Sequence, residues 1–394
     1  MRSSALDSMA RGSINEWNPE RLRASSEHRI QIFRTCGSGR RYDGSILVTK
    51  APSKPITLKE LAATLQLSQS TVSRIVNGAA SAHRIAKETE ERVLHAAALY
   101  SYSANTVARS LRQKRTFTIG VIVPEISEGY STAVLSGIED ELLKDGYFYF
   151  VVSHRHRADL LEGYPRMMLA RSVEGIIAVD TQLEEEIHVP VVSVSGHIRR
   201  PGVINIELDH RMAARLALSH LKTLGHKRIA IIKGQEFSSD TNQRWEAIRE
   251  EAKSLEIVLD PQLVVQLKGP EPGPGPGTEV TRELLQTKQP FTAIFAFNDV
   301  TAIGAILALR EAGLRVPRDI SVLGFDDVLI ALTNNPPLTT IHQPLRGMGQ
   351  AAASTLLGLI RDEIPHPHPP VITVFPKLVV RKSTSQAPVP VAGG

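Results

Sequence analysis

The chain contains two consecutive apolar stripes with helical spacing between residues 57 and 78. The first stripe occupies positions i, i+3, i+4 and i+7, namely Leu58, Leu61, Ala62 and Leu65. Thr57 and Glu60 have the spacing of a capping box, so a first helix is predicted to begin there. Ser68 can cap a second helix that buries Val72, Ile75 and Val76.

The second predicted helix has a polar outer face, formed by Gln69, Ser70, Ser73, Arg74 and Asn77. Short hydroxyl and amide groups beside an arginine suit base edges and phosphates in a DNA major groove. Two helices joined by a tight turn and carrying such a face predict a helix-turn-helix. The alternative is a helical hairpin with a solvated face, because amphipathic helix pairs are common.

Beyond a third amphipathic helix at 87–99, with Val93, Leu94, Ala97 and Ala98 inward, the period changes at Thr118. Apolar, β-branched runs then alternate with helical segments, which predicts βαβ units and parallel sheets. The predicted strands are 118–124, 148–153, 175–180, 190–195, 203–207, 228–234, 263–267, 292–298, 321–327 and 371–381. We expect two lobes with a ligand cleft at the carboxyl ends of their strands. The Gly/Pro-rich residues 269–277 predict a stiff loop that excludes helix.

Basic charge is concentrated around the predicted helix-turn-helix. Residues 51–115 contain ten Lys and Arg against four Glu, whereas the whole chain has a net charge of only +5. A basic segment in an otherwise near-neutral chain is typical of a protein that binds a polyanion through one domain. The single cysteine, Cys36, excludes an intramolecular disulfide and fits a reducing compartment. The sequence has neither a signal-peptide pattern nor an apolar run long enough to span a bilayer, so we expect a cytoplasmic, nucleoid-associated protein without membrane contact.

Several ordered motifs extend these patterns over most of the chain. They are STVSRIVNG (70–78), ETEERVLHAA (88–97), NTVARSLR (105–112), TIGVIVPEIS (118–127), LGHKRIAII (224–232), the run at 290–327 that ends in ISVLGFDD, and PPLTTIHQPLRGMG (336–349). A GxxxxxxxxGY pattern also runs from Gly137 to Tyr147. From about Thr57 to Arg381 the chain resembles the lactose-repressor (LacI/GalR) family of bacterial transcription regulators. The resemblance implies an α/β fold: an N-terminal helix-turn-helix headpiece, a hinge helix and a two-lobed parallel-sheet core like that of periplasmic sugar-binding proteins.

The resemblance also implies which residues contact DNA. Gln69 and Ser70 match base-reading positions, and Arg74 matches a groove- and phosphate-contacting arginine. Backbone-contacting or capping positions are matched by Thr57, Ser68, Thr71, Ser73 and Asn77. Asn105, Ala108 and Leu111 match the hinge helix, whose leucine wedges into a minor-groove step; a plain core leucine is the alternative.

Three departures from the family pattern affect the headpiece. Gln66 stands where glycine is usual in the turn, so a left-handed conformation there costs roughly 1 kcal/mol. The loop AASAHRIAK (79–87) is longer than usual, which predicts extra backbone contacts or a solvated loop. Ala104 replaces the usual proline before the hinge, which loosens the hinge entry.

By the same resemblance, Arg244, Asn298 and Asp326 match effector-contacting positions at carboxyl ends of strands. Their alternatives are an interlobe Arg244–Asp326 salt bridge and a helix cap at Asn298. Asp209, in the LDH triplet, matches a helix-capping aspartate. Tyr130 is the single aromatic left where the family often stacks two on the effector.

Three histidines, His154, His156 and His197, are also predicted to line the cleft. Their spacing fits no known metal scaffold, so neither a metal nor a cofactor is expected. These departures in the first lobe leave the effector's identity open.

We therefore expect a disordered extension (residues 1–53), a helix-turn-helix domain (54–102), a hinge and linker (103–116) and a two-lobed effector-binding and dimerisation core (117–394). The predicted protein is a homodimeric transcription regulator, a repressor that binds double-stranded operator DNA. A sugar or sugar derivative bound between the two core lobes is expected to modulate its affinity for that DNA. A solute-binding protein and an enzyme on the same scaffold are the competing functions. Against an enzyme, no GxSxG, P-loop or GxGxxG motif stands at a strand–helix junction.

Overall fold

The computed structural model describes residues 56–76, 85–100, 102, 115–127, 129–183, 187–197, 199–364 and 370–388. The chain divides into two compact units, Met1–Asn105 and Thr106–Gly394. The predicted extension at 1–53 and the hinge residues 103–114 lie outside the described residues. Within the described part, no helix has both the length and the apolar character that a membrane span requires.

The described part of the N-terminal unit forms three helices: α1 (Leu58–Leu65), α2 (Gln69–Val76) and α3 (Lys87–Leu99). The predicted capping box is confirmed, because the Thr57 hydroxyl accepts from the Glu60 N–H and the Glu60 carboxylate accepts from the Thr57 N–H at 2.8 Å. Gln66 ends α1 in the left-handed conformation, with φ 56° and ψ 39°. These helices bury a common core of Leu61, Ala62, Val72, Ile75, Val93, Ala96 and Ala97.

The inward face of α3 differs from the prediction at three positions. Leu94 is 47% exposed and Ala98 is exposed, whereas Ala96 is buried beside Val93 and Ala97. The buried positions follow the spacing i, i+3 and i+4, which keeps the stripe on one side of the helix. Leu94 and Ala98 lie next to that stripe rather than within it.

The first lobe of the C-terminal unit is a six-stranded sheet covered by helices. Its strands are β1 (Thr118–Val123), β2 (Phe148–Ser153), β3 (Gly175–Val179), β4 (Val191–Val194), β5 (Val203–Leu208) and β11 (Val371–Val374), in the spatial order β11-β5-β4-β3-β1-β2. Every pairing in this sheet is parallel. The helices of this lobe are α4 (Gly129–Lys144), α5 (Ala158–Ala170) and α11 (Leu345–Ile360) in the part of the chain that the structure describes.

The second lobe repeats this architecture. Its strands are β6 (Ile229–Lys233), β7 (Val264–Gln266), β8 (Ala293–Ala296), β9 (Ser321–Asp326), β10 (Thr339–His342) and β12 (Lys377–Val379), in the order β12-β10-β9-β8-β6-β7. Only the β10–β12 pairing is antiparallel. Its helices are α6 (His210–Thr223), α7 (Ser239–Ser254), α8 (Gly275–Gln286), α9 (Asp299–Glu311) and the short α10 (Leu329–Thr333).

The chain crosses between the lobes three times: after β5, after β10 and between β11 and β12. The single strand predicted at 371–381 is therefore wrong, because its two halves pair in different sheets around Phe375 and Pro376. The prediction that residues 269–277 form a helix-free loop is also wrong at its end, because α8 begins at Gly275. A proline within the first helical turn has no intrahelical N–H to lose, so Pro276 is tolerated there.

Candidate functional site

The outer face of α2 carries the residues predicted to contact DNA. Gln69, Ser70 and Arg74 are exposed, while Thr71 and Ser73 are half-buried. The Ser68 hydroxyl accepts the Thr71 N–H at 3.1 Å, which confirms Ser68 as the cap of this helix. The predicted contacts at Asn77, Asn105, Ala108 and Leu111 lie outside the described residues.

The second candidate site is the cleft of the C-terminal unit, where the two lobes touch. The Ser239 hydroxyl at the start of α7 donates to Asp180 Oδ1, which follows β3, at 2.9 Å. His197 Nε2, beyond β4, lies 2.5 Å from Asp240 Oδ1 in α7. The rings of His156 and Phe237 lie against each other across the same boundary, tilted by 34° with their centroids 3.8 Å apart.

Arg244 lies inside this cleft but does not pair with Asp326. Its Nη2 is 3.0 Å from Asp240 Oδ2, four residues earlier on α7, and its guanidinium carbon lies 3.7 Å from the centroid of the Phe325 ring. The interlobe salt bridge considered as an alternative is therefore wrong, since Arg244 and Asp326 both belong to the second lobe. Asp326 accepts from Gln343 Nε2 at 2.6 Å and has a φ of 104°, a backbone conformation that non-glycine residues rarely adopt.

Asn298 and Asp209 both cap helices. The Asn298 Oδ1 accepts the Thr301 N–H at 2.8 Å at the start of α9, and Asp209 Oδ1 accepts the Met212 N–H at 2.8 Å at the start of α6. The capping role of Asp209 is thus confirmed. For Asn298 the capping alternative holds; because the residue also lines a small cleft cavity, effector contact stays a prediction.

Tyr130, at the start of α4, also reaches this region. Its hydroxyl donates to Ser195 Oγ at 2.9 Å, and Ser195 directly follows β4. Burial, followed by the carboxylates of Asp240 and Asp180, raises the pKa of Tyr130. The phenol is therefore a neutral hydrogen-bonding group on the wall of the first lobe.

The buried titratable groups of the cleft have opposing protonation preferences. Burial opposes the charged form of His197, but hydrogen bonds to Asp240 and Glu207 outweigh it and raise its pKa to about 9. Burial likewise opposes ionisation of Asp240, yet His210, His197 and Arg244 hold its pKa well below the usual range. Burial lowers the pKa of His210. Burial and the neighbouring carboxylate of Asp240 raise the pKa of Asp180 to about 7. Asp240 is thus the permanent anion around which the other groups are arranged.

Little free space remains where the lobes touch. The cavity lined by Asp180, Ser238, Asn298 and their neighbours has a volume of about 60 Å³. A separate, wider groove of about 680 Å³ shares His156 and Phe237 among its lining residues. Small-molecule pockets are usually about 300–1,000 Å³, so a ligand of sugar size or larger requires the lobes to separate. A separate groove of about 910 Å³ lies on the outer face of the second lobe, around Trp245.

Asp180, Glu207, His210 and Asp240 were not identified from the sequence. Asp180 and Glu207 end predicted strands and His210 follows Asp209, whereas Asp240 is next to no residue that the sequence singled out. The predicted histidines also separate: His154 Nε2 is 3.1 Å from Thr181 Oγ1, whereas His197 faces Asp240 and Glu207. Only the three-dimensional arrangement brings His210 and Asp240 to His197.

Comparisons with known proteins agree with this architecture. Residues 218–384 match the periplasmic binding protein-like domain. The transcriptional repressor PurR of Haemophilus influenzae is 32% identical over 342 residues, which cover 83% of this chain and 98% of that protein. The solved lac repressor dimer bound to operator and the anti-inducer ONPF is 28% identical with a TM-score of 0.73, covering 84% of this chain and all of that one.

A third similar protein is a LacI-family transcriptional regulator from Enterococcus faecium solved with bound ribose. It is 27% identical with a TM-score of 0.60, covering 69% of this chain and 100% of its own. The match to PurR extends over 98% of that repressor's length. The chain belongs to the LacI/GalR family of bacterial transcription regulators.

Proposed function

We propose that this chain is a sequence-specific DNA-binding repressor whose operator affinity changes when a small polar ligand enters the cleft of its C-terminal unit. The observation that carries the proposal is the capped helix pair, which exposes Gln69, Ser70 and Arg74 on one helix, in the same chain as a two-lobed cleft. A ligand can shift DNA affinity only through its different affinities for two conformations of the protein. Separation of the lobes supplies two such conformations.

The chemistry of the cleft favours a neutral, hydroxyl-rich ligand over an anion. Among the residues that the structure describes, Arg244 is the one arginine buried there, and it is already paired with Asp240. Burial raises the pKa of Asp180 to about 7 and that of Asp326 well above its ordinary value, so these neutral carboxyl groups can exchange hydrogen bonds with hydroxyls, while the ionised Asp240 disfavours a phosphate. Solved relatives contain cellobiose or ribose, which are ligands of this kind. The proposed effector is therefore an uncharged sugar or sugar derivative that contacts Tyr130, Arg244, Asn298 and Asp326.

A dimer is proposed because operator reading by this family uses two headpieces. The short helix α10 has an apolar outer surface with no cover in the described part of its own chain. Leu329 is 77% exposed, and Ile330 and Leu332 are exposed beside it. Burying such a surface against a second copy removes it from water. Leu329→Asp is expected to convert the dimer to monomer in sedimentation velocity, while Val258→Asp, at an equally exposed site far along the chain, leaves the dimer intact.

Headpiece function is tested by a gel shift of the DNA upstream of the chain's own gene. Arg74→Ala is expected to weaken binding by about 1–3 kcal/mol per headpiece, or roughly 5- to 150-fold. Arg92→Ala is the matched control, because Arg92 is an exposed arginine of the same unit outside the α2 face. Equal losses in the two variants would mean that only net charge matters and would contradict a groove-reading role for Arg74.

The proposed role of Leu111 as a minor-groove wedge has its own test. Leu111→Ala is expected to reduce preference for operator over random DNA while leaving binding to random DNA unchanged, because a wedge acts only on a kinked site. An equal loss on both DNAs would contradict this role of Leu111.

The class of effector is tested by thermal shift. Neutral sugars, their phosphates and buffer alone are compared, since a ligand that binds the folded state raises its melting temperature. Stabilisation by phosphates alone would contradict the neutral-ligand proposal.

A solute-binding protein or an enzyme predicts a different outcome. Either would leave the upstream DNA unshifted at low salt with excess protein, even if a sugar stabilised the core. Failure to shift that DNA would therefore reject the regulator while retaining the ligand cleft.

A further inference from the structure

Three buried side chains at the lobe boundary offer metal-binding atoms to one point. They are His197, His210 and Asp240, and one ligand atom from each lies within 4.8 Å of the others. Asp240 Oδ1 is the shared neighbour, 2.5 Å from His197 Nε2 and 3.3 Å from His210 Nε2. We propose that this His–His–Asp site binds a late first-row divalent metal of the Zn²⁺ class.

His210 supplies an independent reason for a ligand here. The residue is 8% exposed, and neither of its ring nitrogens has a well-aligned hydrogen-bond partner in the described part of the chain. Its Nε2 is near Asp240 Oδ1 but at 3.3 Å does not form a satisfactory hydrogen bond. A buried polar group without a partner is unfavourable, so an imidazole in this state calls for an acceptor of its lone pair. A metal ion is such an acceptor.

The surroundings of the site resemble those that orient metal ligands in proteins. Glu207 Oε2 lies 3.8 Å from His197 Nδ1, on the side of the ring away from Asp240. Glu207 is held in turn by Arg199, with Nη2 to Oε2 at 2.9 Å. Arg244 Nη2 holds the second oxygen of Asp240 at 3.0 Å. Carboxylates behind ligating histidines fix ring orientation and strengthen the ligand, and Glu207 occupies that position.

The donor set selects the class of metal. Two imidazoles and one carboxylate suit Zn²⁺ and its late first-row neighbours, whereas Mg²⁺ prefers all-oxygen sites. Three protein ligands leave one tetrahedral position open, as in catalytic zinc sites. Tetrahedral Zn²⁺ ligands at about 2.0–2.1 Å stand roughly 3.3 Å apart, so His210 and Asp240 already have the right separation. His197 has to withdraw from Asp240 by about 1 Å.

The ligands come from both lobes, which gives the metal a role in conformation. His197 belongs to the first lobe, while His210 and Asp240 begin helices α6 and α7 of the second. A metal bound to all three would hold the lobes together, as the hydrogen bond between Ser239 and Asp180 does in the structure. The site is independent of the DNA-binding proposal, so either can fail alone.

Zinc binding is measured on the untagged full chain after chelator treatment, by calorimetric titration with Zn²⁺ and with Mg²⁺ as the negative control. We expect one Zn²⁺ per chain in the wild type. His210→Asn and His197→Asn are expected to weaken that binding by more than roughly 100-fold, and Glu207→Gln by roughly 10- to 100-fold. His156→Asn, another cleft imidazole, and His366→Asn/His368→Asn, in the PHPHPP segment, are matched controls that retain full binding.

A variant-free measurement guards against misfolding of the substituted chains. Co²⁺ added to the wild type is expected to give the visible absorption of a four-coordinate site, and Zn²⁺ is expected to displace it. Wild-type chain that binds no Zn²⁺ would overturn the proposal. So would binding that survives His210→Asn unchanged or disappears in His366→Asn/His368→Asn.

Discussion

Replacing Asp240 tests whether the charges of the cleft are buried in solution. In the structure its carboxylate faces three partners, Arg244 at 3.0 Å, His197 at 2.5 Å and His210 at 3.3 Å, and its own side chain is 6% exposed. Asp240→Ala leaves the guanidinium of Arg244 without its counter-ion while it stays 4% exposed. An arginine cannot escape this by losing its proton, whereas a histidine can.

Removing one member of a buried ion pair costs about 3–5 kcal/mol, mostly because the other charge stays desolvated. The melting temperature of a domain of this order of size falls by roughly 2–4 °C per kcal/mol, so Asp240→Ala is expected to lower it by roughly 6–20 °C. The double variant Asp240→Ala/Arg244→Met is expected to recover much of that loss, because it removes the stranded charge as well.

The assay is urea unfolding at 25 °C followed by circular dichroism, repeated as a thermal scan in the presence of chelator. Asp159→Ala is the matched control, since Asp159 pairs with Arg157 at 2.6 Å but both side chains are 62% exposed. An exposed pair of this kind contributes little, and no resolvable change is expected. If Asp240→Ala were no more destabilising than Asp159→Ala, the carboxylate would be solvated and the lobe contact of this structure would not persist in solution.

Three further predictions concern other parts of the molecule. Gly137→Ala is expected to cost about 1–3 kcal/mol in urea unfolding, because its Cβ would lie 1.9 Å from the Arg346 carbonyl oxygen where α4 packs on α11. Gly163→Ala, in a helix with nothing within 4 Å of the new Cβ, is instead expected to stabilise by roughly 0.5–1 kcal/mol. Gln66→Gly is expected to stabilise the headpiece by roughly 1 kcal/mol, measured on its own unfolding transition, by relieving the left-handed conformation at φ 56°; a loss of stability would show that Gln66 makes a compensating contact. Burial favours the neutral form of Glu174, but Arg115 and the N–H groups of Phe117 and Thr116 outweigh it and lower its pKa. The ionised Glu174 therefore stabilises the fold above its ordinary pKa of 4.5, and this stabilisation is lost as the pH falls below that value. The difference in unfolding free energy between wild type and Glu174→Gln is expected to shrink on acidification. A difference that does not change with pH would contradict the lowered pKa of Glu174.

Local signals in the sequence predicted the headpiece well. The capping box at Thr57, the cap at Ser68 and the left-handed Gln66 are all encoded within a few residues, and each is confirmed. The parallel sheets follow from apolar runs that alternate with helical segments, because strands covered on both faces need continuous hydrophobic sequence.

Features that depend on distant partners were missed. Helix α5 was not predicted because Pro165 and Gly163 disfavour helix locally, whereas in the fold Pro165 and Met168 are buried against the first lobe. The cleft presents the same problem. His197 was predicted to line the cleft, but His210 and Asp240 are unremarkable in sequence, and the three meet only because the chain crosses between lobes after β5.

The central claim is that the chain recognises a specific DNA sequence. Its most direct test is a fluorescence anisotropy titration of labelled DNA from upstream of its own gene, at about physiological salt, against a shuffled duplex of equal length and composition. Specific sites are typically bound about 10³–10⁷ times more tightly than non-specific DNA, so we expect at least a roughly thousand-fold preference for the upstream sequence. Equal affinity for the two duplexes, or no binding to either, would contradict the account.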